Sequence, residues 1–160
     1  MIKDEQIQIL MHMHTLEKSI GELYALFAEK FPDHAELWLH LSRDEEGHAE
    51  AVRKLYQASY EGQTVFLEGN MKAEAVQSVI DYVKDVHELA LAGKIAILKA
   101  LTVAYDLENS LLEKKFFTHF KVKSDFVDVL QTLQRETQKH ARMAKTEIDT
   151  LPKTSAPQKI

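Results

Sequence analysis

Two pairs of segments repeat along this chain, and the repeat restricts the fold more than any other feature of the sequence. LSRDEEGHA at residues 41–49 is matched by LQRETQKHA at residues 133–141, with the Leu, the Arg, an acidic residue, the His and the Ala in common. LEKSIGEL at residues 16–23 is matched by LENSLLEK at residues 107–114 at almost the same offset. Because both segments of each copy have helical spacing of apolar residues, the repeat predicts a duplicated pair of helices.

Apolar periodicity predicts four long helices. Pro32 ends the first helical pattern, while Asp33 and Ser124 are the expected N-caps of the second and the fourth. Residues 61–92 are too long for a tight turn, and their own amphipathic pattern predicts a crossover that contains a short helix. The predicted elements are helix 1 at residues 4–31, helix 2 at 33–60, the crossover at 61–92, helix 3 at 93–120, helix 4 at 124–150 and a frayed tail at 151–160.

Two αα-hairpins joined by one long crossover form the topology of ferritin-like four-helix bundles, whereas up-down-up-down bundles have three short loops. The composition supports an all-α fold, since the chain has only five Gly and three Pro in 160 residues. A chain of this length with 45% hydrophobic residues is expected to form one domain, residues 1–160.

Charge and cysteine usage exclude several classes of function. The formal net charge is -5 and no long run of like charges occurs, so no nucleic-acid partner is expected. The first ten residues carry acids and amides, and no apolar run reaches membrane length, so we expect a cytoplasmic protein without a membrane partner. The chain has no Cys, which excludes disulfides, thiolate zinc sites, iron–sulfur clusters and a Cys nucleophile. Any metal must therefore be bound by oxygen and imidazole ligands.

Carboxylates interrupt the apolar stripes of two predicted helices. Glu17 stands between Met13 and Ile20 on the apolar face of helix 1. Glu108 occupies the corresponding position of helix 3. Both side chains are therefore expected to point into the core.

The other two helices carry histidines on the same face. In helix 2, Glu45 and His48 are spaced i and i+3, so both side chains leave the same side of the helix. His140 occupies the matching position of helix 4. Buried ionised carboxylates that lack partners are costly, but two divalent cations would compensate them with roughly four positive charges. Such dinuclear sites have a characteristic ligand pattern. Two helices each supply one Glu, and the other two helices each supply a Glu-x-x-His motif.

The residues that carry a family resemblance follow one another in a fixed order, divided by the crossover: Glu17, Tyr24, Glu45, His48, Glu108 and His140. This set resembles the rubrerythrin branch of the ferritin-like superfamily over roughly residues 4–150. The resemblance implies a non-haem di-iron centre that reduces hydrogen peroxide or reacts with dioxygen, in a protein that is a homodimer. It implies Glu17 and Glu108 as terminal ligands and Glu45 as a bridging ligand. His48 and His140 would each hold one metal, and Tyr24 would lie close to the centre.

The chain departs from the rubrerythrin pattern in two ways. It has no Cys-rich rubredoxin domain, so a separate protein would have to donate electrons. Thr137 stands where the family has the Glu of the second Glu-x-x-His, so we expect two unequal metal positions, a single iron or a mixed site. Manganese or zinc is an alternative to iron, and zinc would abolish redox chemistry. His14 and Glu136 are candidates to replace the missing ligand, although Glu136 matches Asp44 in the repeat, which favours an outward position.

Three interpretations remain open from the sequence. The first is a metal site with the five ligands Glu17, Glu45, His48, Glu108 and His140. The second is a degenerate bundle that serves as a non-enzymatic scaffold or interaction module. The third is that these residues lie on solvated faces and that the resemblance is accidental.

Overall fold

A computed structural model describes residues 3–66, 71–110, 120–122 and 124–153. Most of these residues are helical, as the composition predicts. The helices are α1 (Asp4–Lys30), α2 (Ala35–Tyr60), α3 (Ala73–Leu91), α4 (Ile97–Glu108) and α5 (Ser124–Thr150), with a 3₁₀ turn at Pro32–His34 between α1 and α2. Within these ranges no helix is both long and apolar enough to cross a membrane.

The helices pack in the pairs that the repeat predicts. α1 packs along α2, α4 packs along α5, and α2 contacts α5, which brings the two pairs together. One continuous apolar core draws residues from all five helices, among them Leu16, Leu41, Ile80, Leu101 and Leu133. The two halves of the repeat therefore share a single interior.

The crossover helix differs from the prediction. α3 has 19 residues and is not short, and it packs against α1. Its buried face consists of Val76, Ile80, Val83, Val86 and Ala90, which recur at three- and four-residue spacing. This full-length amphipathic stripe explains its length, because each added turn buries another apolar side chain.

The prediction of helix 3 at residues 93–120 is wrong at both ends. Gly93 has a φ of 68° and closes α3 in a Schellman motif, in which the amide of Lys94 donates to the carbonyl of Leu89 at 2.9 Å. Helix α4 therefore begins only at Ile97, and it ends at Glu108. The predicted apolar positions Leu111 and Leu112 lie outside the described residues.

The structure also contains a two-stranded antiparallel sheet that the all-α prediction missed. Strand β1 (Thr64–Phe66) pairs with strand β2 (Phe120–Val122), with Val65 opposite Lys121. Both segments are rich in β-branched and aromatic residues, which favour strands. Each strand has only three residues, which is too short to be recognised from the sequence alone. Their pairing also joins residues that are distant in the sequence.

The expected N-caps are also corrected. Asp33 lies inside the 3₁₀ turn, and His34 is the N-cap of α2 without a side-chain cap hydrogen bond. Ser124 is the first residue of α5 rather than the residue before it. The tail beyond residue 153 lies outside the described residues.

Candidate metal centre

The structure buries every side chain that the sequence predicts as a metal ligand. The exposed fractions are 1% for Glu17, 1% for Glu45, 2% for His48, 1% for Glu108 and 0% for His140. The interpretation that these residues lie on solvated faces is therefore wrong. Thr137 is also buried, so its side chain lies on the inner face of α5 where the family pattern has a glutamate.

Close packing of α1 on α2 places Glu45 next to the first helix. A Cβ atom at Gly21 would lie 3.2 Å from the Cβ of Glu45, closer than most real contacts of this kind. The hydroxyl of Ser42 donates to the carbonyl of Gly21 at 2.8 Å. The glycine thus lets the two backbones approach where Glu45 leaves α2.

Glu45 lies between the two histidines. Its Oε1 accepts from Nδ1 of His140 at 3.0 Å, and its Oε2 is 3.4 Å from Nδ1 of His48. The two imidazole rings stack with centroids 5.3 Å apart. One ligand atom from each of Glu45, His48 and His140 lies within 4.8 Å of the others, which is close enough to share one metal ion.

The other two predicted carboxylates lie at the edges of this group. Oε2 of Glu17 is 3.9 Å from Nδ1 of His48, and Oε2 of Glu108 is 3.5 Å from Nδ1 of His140. The hydroxyl of Tyr24 donates to Oε1 of Glu108 at 2.8 Å, which confirms the prediction that Tyr24 lies near the centre. Oε2 of Glu108 makes no hydrogen bond of acceptable geometry within the described part of the chain.

Two acidic residues hold the outer nitrogens of the histidines. Nε2 of His48 donates to Oε2 of Glu136 at 2.8 Å, and Nε2 of His140 donates to Oδ2 of Asp44 at 3.0 Å. The two acids occupy equivalent positions of the repeat. Asp44 directly precedes Glu45, and Glu136 directly precedes Thr137. Metal-binding histidines usually have such a carboxylate on the second ring nitrogen.

These two contacts are what the sequence interpretation missed. It assigned Glu136 an outward position, and the side chain is indeed 36% exposed, yet it reaches across to His48. The signal in the sequence was the acidic residue that both copies have at this position.

The protonation of the group follows from these contacts. Burial alone would raise the pKa of Glu45, but hydrogen bonds from His140 and His48 hold it below its ordinary value. Burial and the nearby charge of Glu45 raise the pKa of Glu108 to about 7. Burial would lower the pKa of His140, but Glu108 and Glu45 raise it to about 11. Without a metal, His140 is therefore an imidazolium at neutral pH.

The pKa of His48 is raised as well, because its contacts with Glu45 and Glu136 outweigh the effect of burial. His14, the other candidate replacement for the missing glutamate, lines a separate cleft between α1 and α2. Burial and the neighbouring Lys18 lower the pKa of His14. Of the two candidates, only Glu136 thus has a described contact with the cluster, and that contact is with the outer nitrogen of His48.

Neither a protein-family model, nor a curated protein, nor a solved structure matches this chain. The interpretation of the site therefore depends on its residues and their geometry. Imidazole and carboxylate ligands suit iron, manganese and zinc, and the spacing of Glu45, His48 and His140 fits one such ion.

Proposed function

We propose that this protein binds a transition-metal ion in the cluster of Glu45, His48 and His140, and that it is a rubrerythrin-like protein with iron as its metal. The observation that carries the proposal is the position of Glu45 between two buried imidazoles. Each imidazole keeps its Nδ1 toward the cluster and its Nε2 on an outer carboxylate. Because both ring nitrogens have a partner, each imidazole is held in one orientation before a metal binds.

We expect two unequal metal positions. Glu45, His48 and His140 would hold the tighter ion, because one ligand atom of each is already close to the others. Glu17 and Glu108 would take part in a second, weaker position, in which Thr137 offers only a neutral, short side chain. Manganese or zinc would fit the same ligands, so the metal must be identified by experiment.

Iron bound here would supply the electrons for reduction of hydrogen peroxide or dioxygen, and a separate protein would have to restore them, since the chain has no Cys. The residues of the chain have simpler tasks. Asp44 and Glu136 orient the imidazoles, and the hydroxyl of Tyr24 fixes one oxygen of Glu108. The five ligand side chains are themselves at most 2% exposed, which limits their contact with bulk water.

The proposed fold is a ferritin-like four-helix bundle of α1, α2, α4 and α5, with α3 in the crossover. Its support is the pairing of α1 with α2 and of α4 with α5 around a shared core. The homodimer and the cytoplasmic location remain predictions from the sequence and the resemblance.

A second candidate function is a metal-free scaffold or interaction module. The observation that favours it is the ability of the buried groups to satisfy one another. An imidazolium at His140 donates to Glu45 on one side and to Asp44 on the other, both at 3.0 Å. Such a network stabilises the interior without an ion.

Metal analysis separates the two functions. Protein purified without chelator from iron-replete cells should contain about one tightly bound ion per chain or more, and Glu45→Ala or His140→Ala should remove it. Glu46→Ala is the matched control, because Glu46 is an exposed acid next to Glu45 on α2. Absence of metal from the wild type, together with no thermal stabilisation by added iron or manganese, would support the scaffold instead.

A further inference from the structure

A cleft between α4 and α5 leads from the surface to Glu108. It has a volume of about 480 Å³. Its described lining consists of Tyr105, Glu108, Asn109, Gln138, Ala141, Arg142, Lys145 and Thr146. Glu108 is the only member of this lining that is also a proposed metal ligand.

Glu108 forms the inner end of the cleft. It is 1% exposed, and its Oε1 is held by Tyr24. Its Oε2 lies 3.5 Å from Nδ1 of His140 and makes no shorter contact with a donor among the described residues. A carboxylate oxygen can accept more than one hydrogen bond, so Oε2 can accept a further one from a ligand that enters the cleft.

The repeat provides an internal comparison, since the first hairpin has a cleft at the equivalent place. That cleft lies between α1 and α2 and has a volume of about 300 Å³. Five positions of its lining have a counterpart in the described lining of the α4–α5 cleft: His14 and Tyr105, Lys18 and Asn109, Glu46 and Gln138, Ala49 and Ala141, and Glu50 and Arg142.

The two clefts differ in depth and in charge. Glu17, the counterpart of Glu108, is not among the described residues that line the α1–α2 cleft, where Gly21 and Ser42 bring the helices together. The walls of that cleft carry three acids, Glu22, Glu46 and Glu50, and one lysine, Lys18. Among the described residues of the α4–α5 cleft, the counterparts of Glu46 and Glu50 are the neutral Gln138 and the basic Arg142.

We infer that the α4–α5 cleft is the entrance through which a small polar oxidant, hydrogen peroxide or its hydroperoxide anion, reaches Glu108 and the centre behind it. The inference rests on the proposed function for the identity of the ligand. Arg142 and Lys145 at the mouth favour a neutral or anionic molecule over a cation, although Lys145 is also paired with Asp149. The duplicated α1–α2 cleft, which is acidic, does not serve this purpose.

The absence of Cys makes the entrance testable in metal-free protein, because a single introduced thiol is then unique. Glu108→Cys and Glu17→Cys place a thiol at equivalent positions of the two hairpins. Hydrogen peroxide oxidises a thiolate by two electrons to the sulfenic acid and is itself reduced to water, so the loss of titratable thiol reports access. We expect oxidation of the Glu108→Cys thiol to be faster by about tenfold or more.

A blocking substitution tests the route itself. Ala141→Phe narrows the α4–α5 cleft and should slow oxidation of the Glu108→Cys thiol by about tenfold, whereas Ala49→Phe at the equivalent wall should leave it unchanged. Circular dichroism and thermal melting establish that each variant is folded. Equal rates for the two thiols, or no effect of Ala141→Phe in a folded variant, would overturn the inference.

A second pair of variants avoids any loss of a buried carboxylate. Ala141→Cys and Ala49→Cys place thiols on the walls of the two clefts, where anionic and cationic methanethiosulfonates of similar size can be compared. For each variant, the rate of thiol modification by the anionic reagent is divided by the rate for the cationic reagent. This ratio should be several times higher for Ala141→Cys than for Ala49→Cys. A ratio equal in both clefts would contradict the proposed charge preference. These measurements need no metal, so a metal-free wild type would overturn the proposed function without touching the route to Glu108.

Discussion

His48 on α2 donates from Nε2 to Oε2 of Glu136 on α5 at 2.8 Å, and the repeat reproduces this contact in the opposite direction. Nε2 of His140 on α5 donates to Oδ2 of Asp44 on α2 at 3.0 Å. Each hairpin therefore orients the histidine of the other. The two halves of the centre are coupled through side chains that the proposed metal would not contact.

Removal of one outer carboxylate should weaken metal binding without removing a ligand. We expect Glu136→Ala to lower metal affinity by about 10- to 100-fold, because the ring of His48 would lose the acceptor that fixes its orientation. The measurement is competition of the apoprotein with a chelator of known affinity. Asp128→Ala, which removes an exposed acid from the same helix, is the control. An affinity unchanged by Glu136→Ala would show that the contact does not orient a ligand.

Metal affinity should rise with pH. His140 has a pKa of about 11, so it is protonated in neutral apoprotein and must lose a proton before it binds a metal. The contacts of His48 with Glu45 and Glu136 raise its pKa as well, which adds to the proton release in the same direction. Glu45 is already ionised, because its pKa is lowered, and contributes no proton. A pH indicator in weakly buffered solution should therefore record proton release on metal addition. Metal binding without proton release between pH 6 and pH 8 would contradict these protonation states.

The stability of the metal-free protein should fall as the pH rises above neutrality. The folded-state pKa of His140 lies above its ordinary value, so its contribution is complete below about pH 6.5 and is lost as the pH approaches 11. Glu108, with a pKa of about 7, lowers the stability between its ordinary pKa and about pH 7, so the decrease above pH 7 is due mainly to His140. Thermal melting between pH 7 and pH 10 measures the decrease, which should be smaller in His140→Gln. A melting temperature that rises over this range would refute the prediction.

Thr137→Glu should restore the missing ligand and change the response to metal. We expect a second ion to bind more tightly, since the new carboxylate adds a negative charge on the inner face of α5. The apoprotein should become less stable, because a further acid is buried among Glu45 and Glu108. Metal stoichiometry and melting with and without metal are the measurements. An unchanged stoichiometry would mean that Thr137 does not adjoin the metal.

Gly21→Ala should disturb the centre through packing alone. The added methyl would lie 3.2 Å from Cβ of Glu45, and overpacking of this kind costs about 1–3 kcal/mol. Gly47→Ala is the matched control in α2, because its added Cβ meets nothing within 4 Å. It should stabilise the helix by up to about 1 kcal/mol. Denaturant unfolding measures the free energy of unfolding, which should fall in Gly21→Ala and rise in Gly47→Ala. Equal changes in the two variants would contradict the close approach at Gly21.

The sequence alone determined the ranges of three long helices and which of their faces is buried. Apolar spacing is a local property, so the ranges of α1, α2 and α5 and the burial of the predicted ligands could be read from it. The repeat predicted that Glu45 and His140 occupy equivalent helices. Whether these residues bind a metal stays a prediction.

Only the tertiary structure decided how the halves meet. The end of α4 at Glu108 and the pairing of β1 with β2 depend on contacts between segments that are distant in the chain. The same is true of the reach of Glu136 to His48, since periodicity places a half-exposed acid on the outer face and says nothing of its partner. Local pattern fixes the direction in which a side chain leaves its helix, and helix packing fixes what it meets there.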